Sequence, residues 1–575
     1  MEEKKLTGFA SIDKPWLKYY SEEAINAPLP ECTLYEYLWE NNKDHLDNTA
    51  LNYYDRKITY GQLFEGIEKT AKAFSALGVK KGEIVAICSV NTPETVYALY
   101  ALNRLGAVAN MIDPRTNADG VQHYLEECRI RFVMTIELAY PLFVKLENNY
   151  KIEKIISVSA ADSLPQPKKF LYRLKNKQPA LKENAMTWNE FIAAGQGGEY
   201  VPAAYQKDTC CVIAHTGGTT GEPKGVMLSN DNINSMVHGY SHIGIPLERN
   251  HRFFNDLPPF IMFGLCFATH VTLCFGVEVV LYPVFSSKDF PKQFAKYKPN
   301  HFCSHPDHLR YLSISKLTKN MDLSHFVTAA VGGDSLNTKL EEQMNEYLAS
   351  NGCKYKTIKG YGMTELASGA VTASPIFNAL GSVGAPLVTN TLKITEVDTN
   401  QELGYNCPGE IWISGPSIML GYYNKPEATA EIIHVDENGT RWIRTGDLGY
   451  ITEEGLLFHQ GRIRRIYLTS HEGQPAKIFP MLVEEKIKQS KSVSNCVVVA
   501  RQKGNSANSE AVAFVISNGT DSVTLTRELK EICAKEVPTY MQPVEYRFVE
   551  EFPLTPIGKV DFRALEKEAT KELGV

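Results

Sequence analysis

Residues His215–Val226 read HTGGTTGEPKGV and place four glycines and three threonines around one lysine. Glycines allow successive backbone N–H groups to aim at one point, and threonine hydroxyls add donors, so this stretch can hold an anion such as phosphate. A plain flexible loop has the same composition. It is not a P-loop, which needs glycine, then lysine, then Ser or Thr; here Pro223 precedes Lys224 and Gly225 follows it. Further chemistry-bearing stretches follow: VGGDSL (Val331–Leu336), GYGMTE (Gly360–Glu365), RTGDLGY (Arg444–Tyr450), GRIRR from Gly461, and PLTPIGKVD (Pro553–Asp561). Taken singly, each is a turn, a turn aspartate or a surface lysine.

The elements that must position these residues read as α/β. Strand-like and helical runs alternate from about residue 50, the pattern of parallel sheets. Phe64–Val79 has helical apolar spacing and stops at Gly78; Glu83–Val90 is a buried-strand run; Thr92 and Pro93 then suit an N-cap and first helical position. A second series runs through VEVVLYPV, PKQFAKYK and FVTAAVGG. The most apolar region, Ile261–Val284, contains His270, Glu278 and two internal glycines, and is expected to be a buried helix followed by a buried strand rather than a membrane span. KKFLYRLKNK (Lys168–Lys177) interleaves five basic residues with apolar ones and reads as a solvated surface excursion; a membrane-surface or acidic-partner site is the alternative. Beyond GRIRR the chain has its own strands (NCVVVA, AVAFVIS) and helices (MLVEEKIKQ, TRELKEICAKE). These predict a small α+β domain over 464–575 behind a large domain over 1–463.

A net charge of -6 removes nucleic acid from the expected partners. Twelve cysteines without C-x-x-C spacing fit reduced thiols in a cytoplasmic protein. MEEKKLTGFASIDKPW is polar where a signal peptide would need an apolar run, and membrane contact is expected to be peripheral at most.

Together, T-G-G-T-T-G-E-P-K-G, GYGMTE, GEIWISGPSIMLGYYNKPEAT (Gly409–Thr429), RTGDLGY and PLTPIGKVD resemble, in order, the motifs of the adenylate-forming (AMP-binding) superfamily. The resemblance covers nearly the whole chain and lies nearest the acyl-CoA synthetase branch. It implies a large domain of several subdomains with parallel-rich sheets, and a small mobile one. It implies that a carboxylate attacks the α-phosphorus of ATP, that pyrophosphate leaves, and that a thiol then takes the acyl group from the adenylate. ATP, Mg2+ and CoA are the implied cofactors, with a phosphopantetheine carrier or an amine as the other possible acceptor.

By the same resemblance, Thr216, Gly217, Gly218, Thr219, Thr220, Gly221 and Lys224 form a mobile clamp on the β- and γ-phosphates. Tyr361 and Gly362 lie at adenine, as do Gly333 and Asp334. Thr364 bonds the α-phosphate, and Glu365 holds Mg2+. Asp447 accepts from both ribose hydroxyls, supported by Arg462. Lys559 is the catalytic lysine, carried on the small domain, and reaches between carboxylate and α-phosphate. Arg464 aligns with the hinge of a domain rotation.

Two regions depart from the family. Arg465 stands where Asp is common, Leu468 replaces a lysine, and Gly461–Pro480 is a few residues longer than usual, with Gly473 left as the glycine expected along pantetheine. In LPPFIMFGL (Leu257–Leu265), Ile261 replaces a frequent histidine, and Ile261, Met262 and Phe263 are the expected acyl-pocket residues. No match is visible to the aspartate with which peptide-synthetase domains pair an amino-acid ammonium. An apolar acid, aliphatic or aromatic, is therefore the expected substrate, and the opening KPWLKYYSEE tilts the choice toward fatty acids.

Overall fold

The structure is a computed structural model that describes residues 6–176, 179–216, 223–333, 336–397, 399–502, 508–553 and 560–571. Two large sheets carry the first part of the chain. In the eight-stranded one, Val108–Ile112, Ile84–Cys88, Phe132–Ile136, Lys154–Val158 and Ala185–Thr187 run parallel; Cys210–His215 joins the other side in parallel, and Gly225–Ser229 and Gly421–Tyr422 add antiparallel. In the nine-stranded one, Ile358–Met363, Thr328–Val331, His301–Ser304, Arg252–Asn255, Glu278–Leu281 and Thr49–Tyr53 form the parallel centre between antiparallel edges. A five-stranded antiparallel sheet built around Arg441–Ile451 follows.

Local sequence explains the helices. Helix Tyr60–Ala76 starts four residues before the expected Phe64, because Thr59 and Gln62 form a capping box that draws Tyr60 into the first turn. Thr92 accepts a hydrogen bond from the Thr95 N–H at the head of Pro93–Leu105, with Pro93 in the first turn. That helix is buried on nearly every face, and its Tyr100 reaches His270 on the segment that links two strands of the nine-stranded sheet. The segment Phe263–Val271 is a π-helix, running into Thr272–Cys274 and the buried strand Glu278–Leu281. The expected buried helix and strand are both there. The i→i+5 winding, which often accompanies functional sites, has no signature in composition. Among the described residues no helix is long and apolar enough to cross a membrane.

After strand Leu457–Arg462 and the short turn Ile463–Arg465 come a hairpin, Tyr467–His471 with Gln474–Ile478, and a three-stranded sheet of Val493–Gln502, Ser509–Ser517 and Glu545–Phe548. Helices Pro480–Lys488, Ser522–Glu536 and Phe562–Lys571 pack with it. Apolar cores divide in the same place. The main core ends at Leu457, and the two cores of the last segment start at Ile478 and Val497 and share no residue with it.

Candidate active site

Several sequence motifs meet at the carboxyl ends of parallel strands, where α/β sheets bind ligands. Thr216 follows Cys210–His215, Gly332 and Gly333 follow Thr328–Val331, and Thr364 and Glu365 follow Ile358–Met363. The loop ends are joined: Thr216 N–H donates to the Lys224 carbonyl at 3.1 Å, and the Lys224 N–H donates to Thr216 Oγ1 at 3.4 Å. Gly217, Gly218, Thr219, Thr220 and Gly221 lie outside the described residues, as do Asp334 and Lys559. His215, at the root of the loop, stacks on Tyr124 with ring centroids 3.6 Å apart and donates from Nε2 to Asn110 Oδ1.

The G-Y-G of GYGMTE has a steric cause. A Cβ on Gly362 would stand 1.7 Å from the Ser368 carbonyl, since Ile358–Met363 pairs with Ser368–Thr372 through a bulge at Tyr361 and Gly362. Only glycine permits that approach, which sets Tyr361 at the strand end. The Tyr361 hydroxyl donates to Asp447 Oδ2 at 2.7 Å, and its ring lies 5.3 Å from that of His459. Asp447 is 2% exposed. Burial pushes its carboxyl up, but His459, Arg462 and Tyr361 outweigh burial and hold it below the usual carboxylate range. Arg462 Nε sits 2.8 Å from Asp447 Oδ1 as an ion pair whose angle is not that of a hydrogen bond, so Oδ1 keeps an open acceptor position.

Glu365 is the second buried carboxylate, in the turn Thr364–Leu366. The Tyr422 hydroxyl donates to its Oε1 at 2.7 Å, and Lys224 Nζ lies 4.9 Å over the Tyr422 ring. Burial raises the Glu365 carboxyl above its ordinary value, against the pull of Tyr422, Arg462 and Lys224. Among the described residues no three His, Cys, Asp or Glu side chains converge as a metal site. One carboxylate with a free oxygen suits Mg2+ carried on phosphates, because that ion keeps waters and takes only one or two protein ligands.

The acyl-pocket expectation resolves unevenly. Met262 is 1% exposed and faces the core, with Cys266 at its sulfur. Ile261 and Phe263 are half-buried, and a Cβ on Gly332 would meet the Phe263 ring at 3.0 Å, so Phe263 abuts the Val331–Gly333 turn. Gly333, at φ 80°, has open space in front of it. Just before LPPFIMFGL, Asp256 is buried and committed: His308 Nε2 donates to Oδ2 at 2.7 Å and Ser304 Oγ to Oδ1 at 3.4 Å. A cavity of about 10 Å³, room for about one water, lies against the π-helix between Thr95, Leu99, Pro259 and Leu265.

The departing segment folds into the small domain. Arg465 donates to Glu484 Oε1 at 2.5 Å and to the Val498 carbonyl at 3.0 Å, and its guanidinium lies 4.0 Å over the Phe562 ring. The segment forms the hairpin Tyr467–His471 with Gln474–Ile478, and Glu472 (φ 51°) and Gly473 (φ 78°) make its two-residue turn, with Gly473 exposed at the tip. Arg464 lies in the preceding turn, and its charge reaches Tyr422. Sequence reasoning gave no role to Tyr422, His459 or Arg465. Tyr422 lay in view as the first tyrosine of L-G-Y-Y, whereas the His459 contact arises only from the register of Arg441–Ile451 with Leu457–Arg462.

This fold and this cluster of motifs define an adenylate-forming protein, and the chain belongs to the AMP-binding enzyme family: that family matches residues 38–423, and the AMP-binding enzyme C-terminal domain matches residues 482–559. It is 27% identical over 568 residues to a long-chain-fatty-acid–CoA ligase of Bacillus subtilis (strain 168), covering 97% of this chain and 98% of that one. It is likewise 27% identical over 548 residues to 4-coumarate–CoA ligase 1 of Solanum tuberosum, covering 92% and 93%. Among solved structures, the anthranilate CoA ligase AuaEII in complex with anthranoyl-AMP superposes with a TM-score of 0.81 at 21% identity, covering 96% of this chain and 100% of that one.

Proposed function

We propose that the chain is an ATP- and Mg2+-dependent acid–thiol ligase that activates a largely apolar acid, fatty or aromatic, as an acyl-adenylate and transfers it to CoA. One convergence carries the reading: the buried Tyr361 and Asp447 meet the exposed Arg462, the buried Glu365 and Tyr422 meet the partly buried Lys224, and Arg462 and Lys224 act on the same Glu365 carboxyl. Ribose hydroxyls donate to Asp447, whose low pKa keeps it an acceptor. Adenine lies between Tyr361 and the Gly333 turn with Asp334. Thr364 donates to the α-phosphate, and Thr216 through Gly221 with Lys224 hold the β- and γ-phosphates. Glu365 would hold Mg2+, which when bound neutralises phosphate charge. A carboxylate oxygen attacks the α-phosphorus, the bond to the β-phosphate oxygen breaks, and Lys559 offsets the charge between the two anions.

The second half-reaction forms a carbon–sulfur bond and releases AMP. Its geometry would follow a rotation of residues 464–575 against 1–463 about Arg464, presenting the Gly473 hairpin to the CoA arm. Asp256 is already committed to His308 and Ser304, so this carboxylate is not spare for an amino-acid ammonium. This favours acids without a charged amine around Ile261, Met262 and Phe263. The twelve cysteines, all free, fit a cytoplasmic setting.

The test is a panel of carboxylic acids scored by pyrophosphate release with and without CoA. Release with fatty or aromatic acids plus thioester formation supports the reading. Adenylation without a thioester on free CoA would move the acceptor to a carrier phosphopantetheine or an amine, and no acid-dependent release would overturn it. In the same assay Lys559→Ala should lower adenylation about 10²- to 10³-fold, yet leave thioester formation from supplied acyl-adenylate largely intact.

A further inference from the structure

Helix Lys168–Lys175 turns its polar side toward the protein and its apolar side toward water. Lys168 Nζ donates to the Tyr54 carbonyl at 2.8 Å and to Asp55 Oδ2 at 2.5 Å. Lys169 Nζ donates to the Asp162 carbonyl at 2.9 Å, and the Tyr172 hydroxyl to Glu137 Oε1 at 2.6 Å. These contacts fix which face is outward. Phe170, Leu171 and Leu174 are 61%, 54% and 66% exposed, and no residue of the helix is buried. At about 100° per residue the three apolar side chains span an arc of about 100°, with Arg173 on one flank and Lys175 on the other. Leu138, next in the chain to Tyr172's partner Glu137, is 78% exposed as well.

The segment that carries this crest is basic, and the acidic groups next to it are engaged on its inner side, Asp55 by Lys168 and Lys296 and Glu137 by Tyr172. No acidic residue occurs between Asp162 and Glu183, while Lys168, Lys169, Arg173, Lys175, Lys177 and Lys182 all fall there, in a chain whose net charge is -6. We propose that this helix docks the protein on an anionic lipid surface, lying in the plane of the interface with Phe170, Leu171 and Leu174 among the acyl chains and Arg173 and Lys175 at the headgroups. Helices with an apolar face flanked by Lys and Arg bind such surfaces through burial plus attraction to anionic lipid. A crest of three side chains on two turns is far smaller than the roughly 800 Å² per partner that a stable protein interface buries. A bilayer needs no matching groove and accepts it. The inference does not depend on the ligase reading, since its readout is binding rather than turnover.

The experiment is co-sedimentation of the full chain with vesicles of phosphatidylcholine plus phosphatidylglycerol, and with phosphatidylcholine alone, at low and high salt. Binding should need phosphatidylglycerol and weaken with salt. Arg173→Glu with Lys175→Glu should weaken it at least about 25-fold, from about fivefold per surface charge. The triple variant Phe170→Ser, Leu171→Ser, Leu174→Ser should abolish it while circular dichroism and the melting temperature stay unchanged, as for exposed positions. Absence of binding to the anionic vesicles, or equal binding by the triple variant, overturns the proposal. So does concentration-dependent dimerisation of the wild type that the triple variant loses, which would assign the crest to a second copy.

Discussion

Three buried histidines should make the large domain acid-sensitive, and His270 allows the effect to be isolated. Asn234 Oδ1 can only accept, so His270 Nε2–H donates to it at 2.9 Å; the neutral ring then accepts from the Tyr100 hydroxyl at Nδ1, also at 2.9 Å. Both nitrogens are used by the neutral form, and burial lowers the group to about 3. His215 and His301 are likewise lowered to about 3, by burial first and a neighbouring histidine second. The folded state holds these rings neutral, whereas the unfolded chain protonates them near pH 6.5. Their stabilising contribution is complete above pH 6.5 and is lost progressively as pH falls from there toward 3. At pH 5 each ring has crossed about 1.5 pKa units, so each costs about 2 kcal/mol at about 1.4 kcal/mol per unit, and three cost about 6 kcal/mol, comparable with a whole domain's margin. The assay is urea unfolding of the wild type and His270→Gln at pH 7.5 and pH 5. The variant should be less stable at pH 7.5, and its deficit should shrink by about 2 kcal/mol at pH 5 because one protonation has been removed. A deficit that is the same at both pH values would refute the reasoning.

Three further substitutions address the site. Gly362→Ala forces a methyl against the Ser368 carbonyl; it should cost about 2–3 kcal/mol and weaken ATP binding by displacing Tyr361, which a melting curve with and without ATP would show, while an unchanged ATP-induced shift would count against it. Tyr422→Phe removes the donor to Glu365 Oε1; a hydrogen bond to a buried charge contributes about 1.5–3 kcal/mol, so pyrophosphate release should fall at least about tenfold and the Mg2+ requirement should rise. Arg465→Ala leaves the 6%-exposed Glu484 with the Val498 N–H but without its cation; breaking such a pair costs about 3–5 kcal/mol, and limited proteolysis should cut residues 464–575 while sparing the large domain.

Much of the fold was legible because local signals agreed with the period of the apolar residues. Thr92 and Pro93 announced a helix that starts where they stand, and the run before it became a strand that pairs in parallel with Val108–Ile112 beyond the helix. The start at Tyr60 was missed because a capping box reads through side chains on either side of the apolar pattern, at Thr59 and Gln62. The π-helix at Phe263 is invisible in composition: Gly264 admits it, since a Cβ there would stand 2.2 Å from the Pro258 carbonyl, yet a glycine in an apolar run carries no such message.

The site divides along a similar line. Motif residues proposed to meet ligands are spaced by short turns and can be read along the chain, whereas the groups that tune them arrive from other strands. Tyr422 comes to Glu365 on an edge strand paired with Gly225–Ser229, the strand after the glycine loop, and His459 comes to Asp447 across the hairpin of Arg441–Ile451 and Leu457–Arg462. The consequence is mechanical. Thr216 and Lys224 close the root of the glycine loop, and Lys224 leans on the Tyr422 ring whose hydroxyl holds Glu365, so the residues proposed to clamp phosphate and to hold Mg2+ share one support. A displacement of the loop when pyrophosphate leaves would then be felt at Glu365 through Tyr422. Arg464, whose charge also reaches Tyr422, would link that change to the turn about which the small domain is proposed to rotate. Tyr422→Phe should therefore slow both half-reactions, whereas Lys559→Ala should slow only the first; equal selectivity of the two variants for adenylation would break this coupling.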